Sequence, residues 1–271
     1  MGVQTILKIR TLCVAAMLLA SPATAQNVTE SNATSPFSRA LELLANGDAD
    51  GANESLADSP AVEQDLLEWT RLRDTDTDFT FASYTRFLER RPDWPGNDAI
   101  RANAERVIDE TISNGDVLAF FDGLAVETGE GAVAYANALI ADGRRDAAEA
   151  MLVDLWLTSA FTTSSHQAIV NAFPDVVAPH HFARADMLLW RWRTSDAASV
   201  VPLLDEGQQA LIRARLANIN RDSDIEARTD LIPDRLQDTP GLHYDQFNRF
   251  ADLGDWTQAS TILTAQSASA E

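Results

Sequence analysis

The sequence is nearly without cysteine and lysine. One cysteine, Cys13, and one lysine, Lys8, occur in 271 residues, and the other 20 basic residues are arginines. Both lie in the first 25 residues, which read as a removable leader, so the mature chain carries neither. A chain without thiols forms no disulfide, runs no thiolate chemistry and holds no cysteine-ligated zinc or iron–sulfur cluster. Positive charge is scarce: 21 Lys+Arg stand against 41 Asp+Glu, for a formal charge of -20. Nucleic-acid binding needs a basic stripe, and no block of arginines supplies one. The same imbalance disfavours an anionic membrane surface. Strand signals are almost missing, since no run of alternating β-branched residues is bounded by Asn-Gly or Asp-Gly turns. What remains is 45% hydrophobic, a composition that folds.

The first 25 residues have the layout of an export signal. Lys8 and Arg10 form a charged start, Thr11 to Ala20 is an apolar run, and Ala23-Thr24-Ala25 is a small-residue cleavage motif. The apolar run is too short to span a bilayer. Cys13 sits inside it, which argues against a lipid anchor. The predicted product starts at Gln26, is soluble and exported, and begins with a polar linker over 26–35. No later segment is a membrane-span candidate.

From residue 36 the pattern is helical throughout. Apolar residues recur at three- and four-residue spacing in Phe37 to Ala45, at Val62, Leu66, Trp69 and Leu72, at Phe81, Tyr84, Phe87 and Leu88, and at Ile100, Ala104, Val107 and Ile108. Pro92 ends the third of these stripes. Four segments share a register anchored on Gly47, Gly143, Arg193 and Gly254. Four residues earlier stand Leu43, Leu139, Leu189 and Phe250; five later stand Ala52, Ala148, Ala198 and Ala259. Nine later stand Leu56, Leu152 and Leu263, with Pro202 in the third copy. Each copy reads as a helix, a tight turn through a left-handed residue, and a second helix whose alanine permits close approach. The expected fold is all-α, an α-superhelix (solenoid) of stacked, degenerate tetratricopeptide-like hairpins over 36–271.

Several strings imitate functional motifs. Gly129-Glu130-Gly131-Ala132-Val133-Ala134 matches a phosphate loop, but no strand precedes it, and Thr128 reads as a helix cap instead. Asp74-Thr75-Asp76-Thr77-Asp78 starts like a calcium loop, yet Phe79 and Thr85 occupy positions that need Gly and Glu. Asp222-Ser223-Asp224 fails in the same way, with Ala227 at the glycine position. His166, His180, His181 and His243 form no H-x-x-x-H pair, and no G-x-S-x-G elbow exists. Tryptophans 69, 94, 156, 190, 192 and 256 could stack on sugar rings, but most lie on apolar stripes and are expected in the core. Arg71, Arg73, Arg86, Arg90 and Arg91 are the one local cluster of cations, expected to be a solvated face paired with acids. No catalytic, cofactor-binding or metal-binding residue is assigned, and no cofactor is expected.

An ordered set of strings resembles a known family. Trp69-Thr70-Arg71-Leu72-Arg73 is followed by Phe87-Leu88-Glu89-Arg90-Arg91-Pro92-Asp93-Trp94-Pro95. Then come Phe120-Phe121, Thr128-Gly129-Glu130-Gly131-Ala132, Ala138-Leu139 with Gly143-Arg144, and Ala183-Arg184-Ala185-Asp186-Met187-Leu188-Leu189-Trp190-Arg191. Together these resemble the N-terminal α-superhelical region of proteobacterial soluble lytic murein transglycosylases, over roughly 37–271. The resemblance implies a periplasmic location and a scaffold that accompanies a lysozyme-like domain. In that domain a glutamate of a Glu-Ser pair cleaves the glycan and leaves a 1,6-anhydro sugar. This chain has Glu30-Ser31 in the linker and Glu54-Ser55 in the first repeat, without the family's Gly-Leu-Met-Gln or Ala-Tyr-Asn-Ala-Gly motifs. The implied role is therefore a non-catalytic scaffold, inactive alone, with peptidoglycan or the catalytic domain as partner. The alternative is a periplasmic repeat adaptor that binds a protein. An enzyme acting through one of the many aspartates has no motif to support it. The last residues, Ser267 to Glu271, carry no cap, so an interrupted array is expected.

Overall fold

The computed structural model describes residues 35–75 and 78–269. The segment expected to be a leader (1–25), the expected linker except Ser35, and Glu30-Ser31 lie outside the described residues. The described chain is all-α, with no strand. In chain order the helices are α1 (Pro36–Ala45), α2 (Ala49–Ser55), α3 (Ala61–Leu72), α4 (Phe81–Arg90), α5 (Asn97–Arg106), α6 (Asn114–Phe120), α7 (Gly129–Ala141), α8 (Arg145–Thr158) and α9 (Thr163–Ala172). There follow α10 (Pro174–Val177), α11 (His181–Trp190), α12 (Thr194–Val200), α13 (Glu206–Asn220), α14 (Ile225–Thr229), α15 (Asp234–Gln237), α16 (Pro240–Asp252) and α17 (Trp256–Ser269). Two compact units divide the chain at Pro60. The first contains α1 packed on α2; the second contains α3 to α17.

Local chemistry sets the helix ends. The hydroxyls of Ser35, Thr80, Ser113, Thr128 and Thr162 each accept from a backbone N–H in the first turn that follows. Asp205 and Gln208 form a reciprocal capping box at the start of α13. Helix α4 stops at Arg90, since the residue before Pro92 is driven out of helical geometry.

The four hairpins α1–α2, α7–α8, α11–α12 and α16–α17 close in the same way. The turn residue takes a positive φ: +81° at Gly47, +80° at Gly143 and +74° at Gly254. The N–H of the following residue returns to a carbonyl one turn back, as in Asp48 to Leu43 (2.9 Å), Arg144 to Leu139 (2.8 Å) and Asp255 to Phe250 (2.9 Å). This is the Schellman closure, and it satisfies carbonyls that the helix end would orphan. In the third hairpin the closing residue is Trp192 (φ +58°), not Arg193, and Arg193 N–H donates to Leu188. The sequence register there is one residue late. Corrected, the equivalents of Leu139, Ala148 and Leu152 are Leu188, Ala197 and Val201, all buried. The alanine of each copy, Ala52, Ala148, Ala197 and Ala259, is at most 1% exposed. A methyl is all the helix contact admits.

A fifth closure of this kind ends α13 at Arg221 (φ +59°), where Asp222 N–H donates to Ala217. A non-glycine residue held left-handed costs about 1–2 kcal/mol. The ion pair of Arg221 with Asp252 is exposed on both sides and offsets little of that. Arg221→Gly is expected to stabilise the protein by roughly 0.5–1 kcal/mol, and Gly143→Ala to cost about 1 kcal/mol. Urea denaturation of the two variants checks both signs; destabilisation by Arg221→Gly would contradict the account.

In the second unit the core is a series of clusters between helices adjacent along the chain. One joins α3, α4 and α5 through Leu72, Tyr84, Phe87 and Ile100. Another joins α7, α8 and α9 through Leu139, Leu152, Trp156 and Ile169. A third joins α11, α12 and α13 through Leu188, Val200 and Ile212. Burial of each large side chain contributes roughly 1.5–3 kcal/mol. Helix α3 keeps part of its expected face, since Leu72 is buried and Trp69 packs against the same cluster, but shifts at its start. Val62 is exposed, and the buried positions are Asp65, Leu67 and Leu72. The buried acid is the reason, as described next.

Candidate functional site

The arginine cluster is mostly consumed by the fold. Asp65 accepts from Arg90 Nε (3.0 Å) and Arg91 Nε (2.8 Å), so two arginines of α4 and its end neutralise one buried carboxylate on α3. The cations also lie on rings: Arg71 over Phe79, Arg73 over Trp69, Arg90 over Phe87 and Arg91 over Trp94. Trp94 closes the turn against Trp69 and Phe87, and Trp69 Nε1 donates to the Pro95 carbonyl. Arg86 is exposed. Of the tryptophans, Trp156 is in the core, whereas Trp190, Trp192 and Trp256 are exposed, contrary to expectation. Trp190 stacks on Tyr244 beside a small apolar groove of about 240 Å³ between α11, α16 and α17.

The loop that imitates a phosphate site already holds an anion. Glu105, at the end of α5, is 1% exposed and accepts from Glu127 N–H (2.9 Å), Thr128 N–H (2.6 Å) and the Thr128 hydroxyl (2.7 Å). Its carboxylate occupies the positive end of α7, the position a ligand phosphate would take. Burial raises the Glu105 pKa, against the lowering pull of these donors. Both glycines serve contact: a Cβ on Gly131 would collide with the Glu105 carboxylate, and one on Gly129 with the Ser165 backbone carbonyl of α9.

Other buried polar groups cap helix C-termini. Arg184 of α11 is 1% exposed, donates to the carbonyls of Trp156 (2.6 Å) and Ser159 (3.0 Å), and lies 4.1 Å from the Trp156 ring centroid. The negative end of α8 compensates this cation. Burial brings its pKa down to about 10. Asn103 reaches the end of α3 at the Leu72 carbonyl (2.8 Å), and Asn97 reaches the end of α4 at the Arg91 and Pro92 carbonyls (both 2.8 Å). Arg215 of α13 joins Asp245 of α16 at 2.7 Å and Asp186 of α11. Burial pushes the Asp245 carboxyl up to about 6, against the pull of Arg215.

The structure brings together two histidines that are distant in sequence. His166 and His181 both pack on Trp156, with centroids 4.9 and 5.5 Å away. Burial, then the Arg184 charge, lowers the His166 pKa to about 4. The unfolded value is 6.5, so His166 contributes stability above that pH and loses it as pH falls towards 4. Asp245, shifted upward, acts in the opposite direction between about 6 and 3.8. The two effects offset each other in the wild type. His166→Gln removes one of them, so its stability relative to wild type should rise by about 2–3 kcal/mol between pH 7 and pH 4.5. Urea titrations at the two pH values read this directly; a difference independent of pH would refute it.

Glu54 is exposed on α2, and the Ser55 hydroxyl donates to the Ala52 carbonyl (2.8 Å), so this Glu-Ser pair lies on an open helix surface. The Asp74–Asp78 segment falls partly outside the described residues. Among the described residues no group of three or more His, Asp or Glu side chains could hold a metal ion. Among them, too, no helix is long and apolar enough to cross a membrane.

An open groove of about 590 Å³ is bordered by α4, α5 and α6. Phe81, Leu88, Pro92, Ile112, Phe120 and Leu124 give it an apolar lining, with Glu89, Arg101, Thr111 and Asp116 among the polar groups. That volume lies within the range of small-ligand pockets. Nothing in the sequence singled it out, because its lining comes from three helices and three loops. No family matches the chain, and no curated protein or solved structure matches it either.

Proposed function

We propose that this chain is the non-catalytic scaffold of an exported peptidoglycan lytic transglycosylase, acting in the periplasm. Its hairpins stack as a superhelix of tetratricopeptide-like repeats. The observation that carries the reading is the four hairpins with one closure and one buried alanine at a common register. The ordered strings from Trp69 to Arg191 and the export-signal pattern of 1–25 support it. Helical arrays of this sort present extended surfaces for binding. Peptidoglycan carries peptide carboxylates, so any contact with this acidic chain is local and not driven by net charge.

The test uses purified peptidoglycan sacculi. The chain alone should release no anhydro-muropeptides, and release should appear when a lysozyme-like transglycosylase domain is joined to its C-terminus. Turnover by the chain alone would sink the reading. So would a joined domain whose activity on sacculi is unaffected by the scaffold. A repeat adaptor for a periplasmic protein is the second reading. It is favoured by the exposed apolar side chains Leu253, Trp256 and Leu263 on the last hairpin, where Leu263 is 53% exposed although its equivalents in the other hairpins are buried.

A further inference from the structure

The groove bordered by α4, α5 and α6 has features that point to an occupant. Its floor is apolar, formed by Phe81, Leu88, Ile112 and Phe120. Its charge is acidic in effect: Arg101 is already paired with Asp98 at 2.6 Å, and among the described residues Glu89 and Asp116 have no ion pair. The Asp116 carboxylate accepts from the hydroxyl of Ser113 (2.7 Å), the cap of its own helix. Both carboxylates are exposed to whatever enters.

A third feature lies deeper. Asn97 lines the groove and is 5% exposed. Its amide nitrogen is spent on the Arg91 and Pro92 carbonyls, which fixes its orientation. The Oδ1 that results is buried and accepts no hydrogen bond from the described residues. A buried acceptor left unmade costs about 1–3 kcal/mol, and because it is closed off it fixes the wall of the groove and does not meet the occupant.

We infer that this groove is a docking site for a short peptide segment that presents aliphatic side chains next to lysine or arginine. The aliphatic groups fill the floor, and the cation meets Glu89 and Asp116. An anionic ligand is disfavoured by the two free carboxylates. A sugar is disfavoured because no tryptophan or tyrosine lines the groove to supply a stacking face. The site is independent of the scaffold reading; it requires only the packing of α4, α5 and α6.

The experiment is fluorescence anisotropy with the full chain and two labelled peptides, acetyl-Leu-Lys-Leu-Lys-amide and acetyl-Leu-Glu-Leu-Glu-amide. The lysine peptide should bind with a Kd in the range of roughly 10–100 μM, and the glutamate peptide at least about tenfold more weakly. Leu124→Glu, at an exposed position on the groove rim, separates docking from general attraction to an acidic protein. It adds negative charge, so non-specific attraction would strengthen, whereas docking should weaken about tenfold. Glu89→Arg should weaken it similarly, and Leu263→Glu, in the other groove, should not. Circular dichroism melts show that the variants fold. Three results would overturn the inference: no lysine-peptide binding at about 1 mM, equal binding of the two peptides, or unchanged binding in the Leu124→Glu variant.

Discussion

Replacing Asp245 by alanine is expected to cost about 3–5 kcal/mol, a large part of the stability of a protein this size. Arg215 is 2% exposed, and Asp245 at 3% is its most buried partner. Once Asp245 is removed, the guanidinium keeps only the half-exposed Asp186 carboxylate. It cannot withdraw to water, because Gly241 lies against it; a Cβ at that position would occupy the place of the guanidinium carbon. The cost is that of an unpaired buried charge, not the net worth of the pair, since taking both ions out of water is itself expensive. The double replacement Arg215→Met with Asp245→Leu should therefore recover most of the loss. Denaturant unfolding of the single and double variants decides. A single variant that loses under 1 kcal/mol, or a double variant as unstable as the single, would refute the account. If Asp245→Ala does not fold, Asp245→Asn gives a graded version, as the amide retains one acceptor.

Gly129→Ala is expected to be nearly as damaging, at about 3 kcal/mol or more. The added methyl would meet the backbone carbonyl of Ser165, which cannot rotate away as a side chain could. Helix α7 would have to move off α9, disturbing the cluster around Trp156 and Ile169. Gly131→Ala pushes instead on the Glu105 carboxylate. That displacement breaks charge-assisted bonds at the start of α7, each worth about 1.5–3 kcal/mol. Glu105→Gln should lose part of this without steric strain. Melting temperatures that fall in the order wild type, Glu105→Gln, Gly129→Ala would match the geometry. A Gly129→Ala variant as stable as wild type would mean that α7 and α9 are not in contact there.

These two positions also show where reading the chain succeeds and where it stops. The helix spans were legible from spacing alone: the stripe of Phe81, Tyr84 and Phe87 and the terminator Pro92 bound α4 correctly. Three of four hairpin turns were legible because glycine marks a left-handed residue. The turn at Trp192 was misread by one position, since nothing about tryptophan announces a positive φ. The glycines of Gly129-Glu130-Gly131 were visible, and their role as a ligand loop was rejected, but their true neighbours, Ser165 and Glu105, lie 36 and 26 residues away. On α3 the spacing places Leu72 and Trp69 correctly but not Val62, because a buried aspartate opposes the hydrophobic pattern until Arg90 and Arg91 are placed beside it.

The candidate site was the least legible part. The groove draws its lining from α4, α5, α6 and the loops beside them, and the decisive groups are two acids, Glu89 and Asp116, that stand on different helices. Local sequence determined the secondary structure, the repeated hairpin closure, the excess of acid and the lack of any cysteine after Cys13. All of these follow from dihedral preference, periodicity and composition within a few residues. Only the tertiary structure decided which charges are buried, which tryptophans face water and where a groove opens. Those outcomes depend on which helix ends meet which side chains across 20 to 35 residues of chain, and there a carbonyl or carboxylate must be satisfied by whatever packs against it.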